Sequence, residues 1–302
     1  MTNKVTKEWY VEMPWGKVAM ISWGESSKPP MLLVHGYLDT AATFSRLVDH
    51  MPDTYYYVSF DFPGHGKSDH VQSGPLVTQT LLTEVIRRIV DHMGWKTFIF
   101  VSHSMGFISG IYYHHAFPGK VERMIIIDPA VPVGNQYYVI YDLGLWYKSN
   151  YQEYYDIYNK NDAKLYKYEQ AVAAMMKARS LTKEQTEHLL ARCLVPTDYG
   201  LYKMTFQSAM RRVYGTWLPE YTLEHVITSN PPPTLVVNAT KHNLTPVMVE
   251  IANKLLKTYT EPNSVHRNVY VEGKHDVHIT SPREVVHQIT DFLNCTTVKS
   301  KL

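Results

Sequence analysis

Short apolar runs alternate with longer mixed segments along most of the chain. The runs are rich in β-branched and aromatic residues, which indicates strands, and most of the intervals between them are long enough for a helix. The predicted strands are residues 5–13, 17–23, 31–34, 55–60, 97–101, 121–127, 234–237 and 268–271. This alternation predicts an α/β fold with a mostly parallel sheet and helices on both faces. Runs such as MLLV and MIII are continuously apolar, as expected for strands buried on both faces.

The last predicted element is a helix over residues 281–292. Ser281 is expected to be its N-cap, Pro282 its first residue and Glu284 the partner of Ser281 in a capping box. The loop before this helix follows the last predicted strand, so it lies at the edge of the sheet where α/β proteins carry functional groups.

The pattern changes between residues 132 and 231, where 100 residues of helix-like sequence hold 14 of the chain's 23 tyrosines. We interpret this segment as a helical cap inserted into a core formed by residues 1–131 and 232–302. Most of the tyrosines are expected to pack helices together, and a few to line a pocket. Cap and core would frame one cleft.

Composition narrows the class of protein. The apolar content of 45% fits a globular chain, and a net charge of +2 without runs of like charge argues against nucleic acid as a partner. Cys193 and Cys295 are too few for a disulfide framework or a zinc cluster. No stretch approaches 18 uninterrupted apolar residues, so no transmembrane segment is expected. Residues 1–13 lack the apolar core of a signal peptide, which favours an intracellular protein.

The sequence ends in Ser300, Lys301 and Leu302. The tripeptide SKL at an extreme C-terminus is an address that the peroxisomal import receptor reads. We therefore expect a peroxisomal protein, or a cytoplasmic one where the signal is not used.

Residues 97–110, TFIFVSHSMGFISG, carry the clearest chemical signal. A short apolar run stops at Ser104, and small residues follow before the chain becomes helical. This order is typical of a nucleophile elbow, a strained turn between strand and helix that exposes a serine hydroxyl at the edge of a sheet. Ser102 stands where the motif usually has glycine, and its side chain is small enough for that position. Ser104 is therefore the candidate nucleophile.

The loop HGYLD, residues 35–39, lies where an acyl-transfer enzyme needs an oxyanion donor. We predict an oxyanion hole formed by the backbone N–H groups of Tyr37 and Met105, each lowering the barrier by roughly 3 to 4 kcal/mol. The alternative is a tight turn without catalytic meaning. The Gly- and Pro-rich loop over residues 60–68 is interpreted as structural.

A general base should come from another loop at the same edge of the sheet. Two histidines, His275 and His278, lie between the last predicted strand and the last predicted helix. We favour His275 because it follows the end of the strand more closely.

The acid that orients this histidine is less obvious. Residues 238–246, the usual place, contain no Asp or Glu and have His242 instead. Asp128 directly follows residues 121–127 and emerges at the same edge, so we predict that it is the acid. Alternatively, Asp128 only binds turn backbone, and Asp276 or Glu250 supplies the carboxylate.

Four segments, HGYLD, DFPGHGKS, SHSMG and GKHDVH, resemble the α/β-hydrolase superfamily in their order and spacing. Longer segments, including LLVHGYLDTAATFSRLVDHMP and VEGKHDVHITSP, are similar to the animal family of serine hydrolase-like proteins. The resemblance implies that Ser104 is the nucleophile and His275 the base. The acid-free loop departs from the usual pattern, although certain haloalkane dehalogenases take their acid from the strand before the cap, where Asp128 lies. Their nucleophile is an aspartate, so Ser104 argues against dehalogenase and epoxide hydrolase chemistry.

These residues together predict a serine hydrolase that cleaves a small-molecule ester or thioester through an acyl-enzyme, without a metal or organic cofactor. Ser104 would attack, His275 would transfer the proton and Asp128 would orient the imidazole. Two alternatives stay open. One is a carbon–carbon bond hydrolase with the same three residues, and the other is a catalytically weak or inactive ligand-binding protein on a hydrolase scaffold.

Overall fold

The computed structural model describes residues 4, 6–71, 77–129, 143–158, 164–211, 220–241, 246, 249–250, 256–257, 259 and 265–295. Three features named in the sequence lie outside these residues. They are the start of the predicted cap at residue 132, His242, and the C-terminal residues 300–302.

Eight of the described strands form one sheet. They are β1 (Thr6–Met13), β2 (Gly16–Trp23), β3 (Pro30–Val34), β4 (Tyr56–Phe60), β5 (Phe98–His103), β6 (Val121–Ile127), β7 (Thr234–Ala239) and β8 (Arg267–Val271). Their order across the sheet is β1-β2-β4-β3-β5-β6-β7-β8. The strand β2 is antiparallel to β1 and β4, and the other neighbouring pairs are parallel. The carboxyl ends of β3, β5, β6, β7 and β8 therefore meet at one edge of the sheet.

Helices cover both faces of this sheet, as the apolar strand runs predicted. On one face, Phe100 and Ile126 belong to a core that includes side chains of α2 (Gln79–Met93) and α3 (Gly106–Ala116). On the other face, Val101 and Ile127 belong to a core that includes side chains of α1 (Ser45–His50) and α10 (Pro282–Asn294). Both layers fix the strands and leave their carboxyl ends to carry the loops of the site.

The chain between β6 and β7 forms five further described α-helices. They are α4 (Leu143–Tyr147), α5 (Glu153–Tyr158), α6 (Tyr168–Arg179), α7 (Lys183–Cys193) and α8 (Glu220–Thr228). A small antiparallel sheet of Leu165–Tyr166, Tyr202–Met204 and Leu194–Pro196 accompanies them. The sequence did not predict this sheet, because strands of two or three residues have no periodic pattern. Residues 143–158, 164–211 and 220–228 are called the inserted segment; its division from the core at residues 132 and 231 stays a prediction.

The strand β5 is longer than the sequence predicted. It continues to His103, because Ser102 and His103 pair with Ile126 and Ile127 of β6 despite their polar side chains. The turn that follows therefore begins directly at Ser104.

The predicted capping box at Ser281 is wrong. Ser281 precedes α10, but its side chain caps no backbone N–H of the helix, and its hydroxyl donates to the carbonyl oxygen of Glu272. Pro282 begins the helix as predicted. Among the helices of the described ranges, none has the length and apolarity that crossing a bilayer requires.

Candidate active site

Ser104 lies in a sharp turn between β5 and α3. Its backbone has a φ of +53°, in the left-handed region that few non-glycine residues adopt. Two glycines allow the end of β3 and the loop after it to lie close to this turn. A Cβ atom on Gly36 would lie 2.9 Å from the Cβ of Ser104, and one on Gly106 would lie 2.6 Å from the carbonyl oxygen of Val34. The chain geometry at Ser104 is that of a nucleophile elbow.

His275 lies beside the hydroxyl of Ser104. It belongs to the loop between β8 and α9 (Val277–Thr280), and its Nε2 is 2.8 Å from the Oγ of Ser104. Burial lowers the pKa of His275, but the hydrogen bond and the charge of Asp128 outweigh burial, so this pKa lies above its ordinary value. The alternative base, His278, is fully buried and its Nε2 lies 2.6 Å from Oγ1 of Thr43. The structure therefore brings His275, and not His278, to Ser104.

Asp128 binds the opposite ring nitrogen of His275. Its Oδ2 is 2.5 Å from Nδ1 of His275, while its Oδ1 accepts the N–H of Ala239 at 2.9 Å. The N–H of Asp128 donates to the carbonyl of Val237 at 2.7 Å, and its φ is +41°. Strand β7 thus holds this carboxylate at the end of β6. Asp128 thus contacts both the His275 ring and a backbone N–H of β7, so its backbone contact does not keep it from the histidine.

The other two candidate acids have different surroundings. Glu250 is exposed. Asp276 is buried, and both of its carboxylate oxygens accept hydrogen bonds from Arg179. Within the described ranges, Asp128 is the carboxylate that reaches the His275 ring.

The backbone N–H groups of Tyr37 and Met105 belong to the two segments that touch at Gly36 and Ser104. Neither N–H donates to another described residue. The side-chain hydroxyl of Tyr37 instead donates to the carbonyl of Arg211, at the end of the 3-10 helix Ser208–Arg211, at 3.0 Å. The predicted oxyanion donors thus lie next to Ser104 and donate no hydrogen bond within the described residues.

Two arginines of the inserted segment, the half-buried Arg179 and the buried Arg192, bind acidic residues beside these loops. Arg179, the last residue of α6, donates to both carboxylate oxygens of Asp39 and of Asp276 at 2.5 to 3.0 Å. Arg192, in α7, donates through Nε to both oxygens of Asp61 at 2.8 and 3.0 Å. Burial acts to raise the pKa of Asp39, but the guanidinium of Arg179 holds that pKa well below its usual range.

Sequence reasoning missed both arginines. Their acidic partners are 97 to 140 residues away along the chain. No local pattern marks either arginine, so only the folded structure shows that they reach the site.

Four buried side chains form a possible set of metal ligands, with ligand atoms within 4.8 Å of one another: Asp39, His103, Asp276 and His278. Burial lowers the pKa of His278 to about 3 and that of His103 well below its ordinary value, so both imidazoles are neutral. Arg179 already forms an ion pair with each of the two carboxylates. A metal ion would have to displace this guanidinium, so the group is better described as an ion-pair cluster beside two neutral histidines.

The chain matches the family model described as the alpha/beta hydrolase fold over residues 29–282. It is 26% identical over 296 residues to a serine hydrolase-like protein of Danio rerio, a match that covers 96% of this chain and 89% of that protein. It is 41% identical over 117 residues to a serine hydrolase-like protein of Homo sapiens. That second match covers 38% of this chain and only 57% of the human protein.

A solved structure, the thioesterase domain from the curacin biosynthetic pathway, superposes on the chain with a TM-score of 0.79. The superposition covers 95% of this chain and 99% of that one, at 19% sequence identity, so it shows the fold alone. Together these matches confirm the fold class and the resemblance predicted from the sequence, and they support a hydrolase.

Proposed function

Because the chain belongs to the α/β-hydrolase family, we propose that it is a serine hydrolase that cleaves an ester or thioester through an acyl-enzyme. One observation carries the proposal. The Oγ of Ser104, the imidazole of His275 and the carboxylate of Asp128 form one hydrogen-bonded series, with distances of 2.8 and 2.5 Å. Each group follows the end of a different strand, and groups at the carboxyl ends of parallel strands can converge on one site.

The first half of the proposed reaction forms the acyl-enzyme. The Oγ of Ser104 attacks the acyl carbon while Nε2 of His275 accepts the hydroxyl proton. Asp128 keeps a proton on Nδ1 of His275 and stabilises the imidazolium that forms. The N–H groups of Tyr37 and Met105 bind the oxyanion. The tetrahedral intermediate then expels the alcohol or thiol, which takes the proton from His275 and leaves the acyl group on Ser104.

The second half releases the acid. A water molecule gives a proton to Nε2 of His275 and attacks the acyl carbon of the ester formed with Ser104. The second tetrahedral intermediate collapses, the Oγ of Ser104 takes that proton back, and the carboxylic acid leaves. Every proton in both halves passes through the same nitrogen, so the elevated pKa of His275 sets the acid limit of the activity.

The proposal is tested by fluorophosphonate labelling together with a matched panel of substrates. We expect the folded protein, but not a heat-denatured control, to become labelled, since the reagent needs an activated serine. p-Nitrophenyl esters and CoA thioesters with the same series of acyl chains would then separate the effect of the leaving group from that of the acyl group. A folded protein that neither labels nor hydrolyses any member of the panel would contradict the proposal and favour the ligand-binding alternative.

We also propose that Ser300, Lys301 and Leu302 direct the chain to peroxisomes. The support is the tripeptide itself. In cells, a fusion with a fluorescent protein at the N-terminus should give punctate fluorescence that coincides with a peroxisomal marker. Deleting Leu302 from the same fusion should leave it in the cytosol, and unchanged puncta after the deletion would contradict this proposal.

A further inference from the structure

Arg179 joins the two loops that carry the proposed oxyanion donor and the proposed base. Asp39 lies two residues after Tyr37 in the loop after β3, and Asp276 directly follows His275 in the loop after β8. Both carboxylates are buried, with 3% and 5% of the residue exposed. Arg179 donates Nη1 and Nη2 to Asp39 and donates Nε and Nη2 to Asp276. One planar guanidinium thus spans loops that arise from strands on different sides of β5.

Ser180, the residue after Arg179, binds Lys274, the residue that precedes His275 in the sequence. Ser180 accepts a hydrogen bond from the Nζ of Lys274 at 2.9 Å and has a φ of +56°. Residues 274 and 276 flank His275, so consecutive residues at the end of α6 bind both of its neighbours in the chain. A shift of the end of α6 would therefore move His275 relative to Ser104.

The loop after β3, residues 35–39, carries Tyr37 and is called the oxyanion loop. Further contacts restrain this loop and the chain that follows it. The backbone N–H of Ala41 donates at 2.7 Å to Asp61, which also binds Arg192 of α7. Between Tyr37 and Asp39, Leu38 has a φ of +47°, a strained conformation that persists only where the surroundings impose it. The inserted segment contacts these restraints through Arg179, which binds Asp39, and Arg192, which binds Asp61.

We infer that Arg179 is a positioning residue, which sets the distance between the oxyanion loop and His275 and so couples the inserted segment to the proposed reaction. This inference rests on the proposed function. The fork geometry of arginine suits the role, because five N–H donors in one plane can satisfy two carboxylates at once. The buried carboxylates require such a partner whatever the function, so the test must separate positioning from charge balance.

The test compares Arg179→Met with Arg46→Met. Arg46, in α1, also joins the core to the inserted segment, through an ion pair with the exposed Glu184 of α7, but it binds neither catalytic loop. The measurement is the second-order rate constant of fluorophosphonate labelling from pH 5 to 9. Arg179→Met should label about 100-fold more slowly, the loss expected when reacting groups move by about 1 Å. Arg46→Met should stay within about twofold of the wild type, since surface ion pairs contribute little.

The pH dependence reports separately on the charge that Arg179 places beside His275. The charged and titratable groups around His275 are Asp128, Asp276, Arg179 and the neutral imidazoles of His103 and His278. The positive charge of Arg179 lowers the pKa of His275, while the carboxylates of Asp128 and Asp276 raise it. Removing the guanidinium should therefore raise this pKa and move the acid limb of the labelling rate to higher pH.

A second variant covers the case in which unpaired buried carboxylates prevent Arg179→Met from folding. In the triple variant Arg179→Met, Asp39→Asn, Asp276→Asn, the cluster is neutral and similar in shape, a change that buried ion pairs often tolerate. It should fold, by circular dichroism, and still label about 100-fold more slowly. A wild-type rate in either variant would overturn the positioning role. A wild type that does not label at all would instead overturn the proposed function, so the two failures are distinguishable.

Discussion

Ser104→Ala should abolish fluorophosphonate labelling and lower ester turnover by a factor on the order of 10⁶, as removal of a nucleophilic serine does in other serine hydrolases. The substitution deletes the one oxygen that lies 2.8 Å from Nε2 of His275. Alanine keeps the Cβ atom that Gly36 accommodates, so the turn and the fold should be preserved. Labelling by gel fluorescence, turnover by product release and melting temperature on the same preparation would check all three expectations.

Ser102→Ala is the matched control. Ser102 lies in β5 two residues before the turn, and its buried hydroxyl has no hydrogen-bond partner among the residues that the structure describes. Removing this hydroxyl should leave labelling unchanged. Undiminished labelling in Ser104→Ala would show that Ser104 is not the reactive residue. Loss of labelling in both variants would show that the loss in Ser104→Ala is not specific to its hydroxyl.

Local sequence patterns predicted the parts of the fold that local physics determines. The central strands were predictable because a parallel sheet covered on both faces requires continuous apolar runs. The elbow at Ser104 was predictable because a serine between a strand and small residues has few other uses. Asp128 was predictable by a different route, since residues 238–246 hold no carboxylate and the end of β6 does. The structure then places its Oδ2 beside His275.

Features that depend on long-range contacts or on very short elements were not predictable. The end of β5 was placed two residues early because Ser102 and His103 are polar, although pairing with β6 extends the strand through both. The capping box at Ser281 matched the sequence pattern, but the loop orients the Ser281 hydroxyl to Glu272. Arg179 and its two acidic partners lie on three separate segments, and no period or motif relates them.

Asp128→Asn should lower turnover by about 10⁴, the loss that follows when a histidine of this kind is held in the wrong tautomer. The asparagine carbonyl can still accept the N–H of Ala239, as Oδ1 of Asp128 does now. Its amide NH2 then faces Nδ1 of His275 and donates to it, so the ring proton moves to Nε2. A protonated Nε2 cannot accept the proton of Ser104, although all the groups remain in place.

The acid limb of the pH–rate profile, where activity falls as His275 becomes protonated, gives an independent check. Asp128 raises the pKa of His275, whereas burial lowers it. With asparagine, the effect of burial remains and the effect of Asp128 is lost, so the pKa of His275 should decrease. Since the base must be neutral, the residual activity of Asp128→Asn should persist to lower pH than that of the wild type. This shift is opposite in sign to the one expected for Arg179→Met.

The results expected for Asp128→Asn therefore differ from those of a substitution that only destabilises the turn after β6. Single-turnover acylation, the pH profile and the melting temperature should be measured on the same protein, with Asp91→Asn as control, because Asp91 is an exposed partner of Arg87 on α2. His242→Ala, by contrast, should have a far milder effect on turnover. Asp128→Ala should also lower the melting temperature, since alanine loses the bond to Ala239 as well.

Normal acylation in a stable Asp128→Asn would exclude Asp128 as the orienting acid. It would leave Asp276, now bound to Arg179, or the exposed Glu250, and either would have to leave its present position to reach His275.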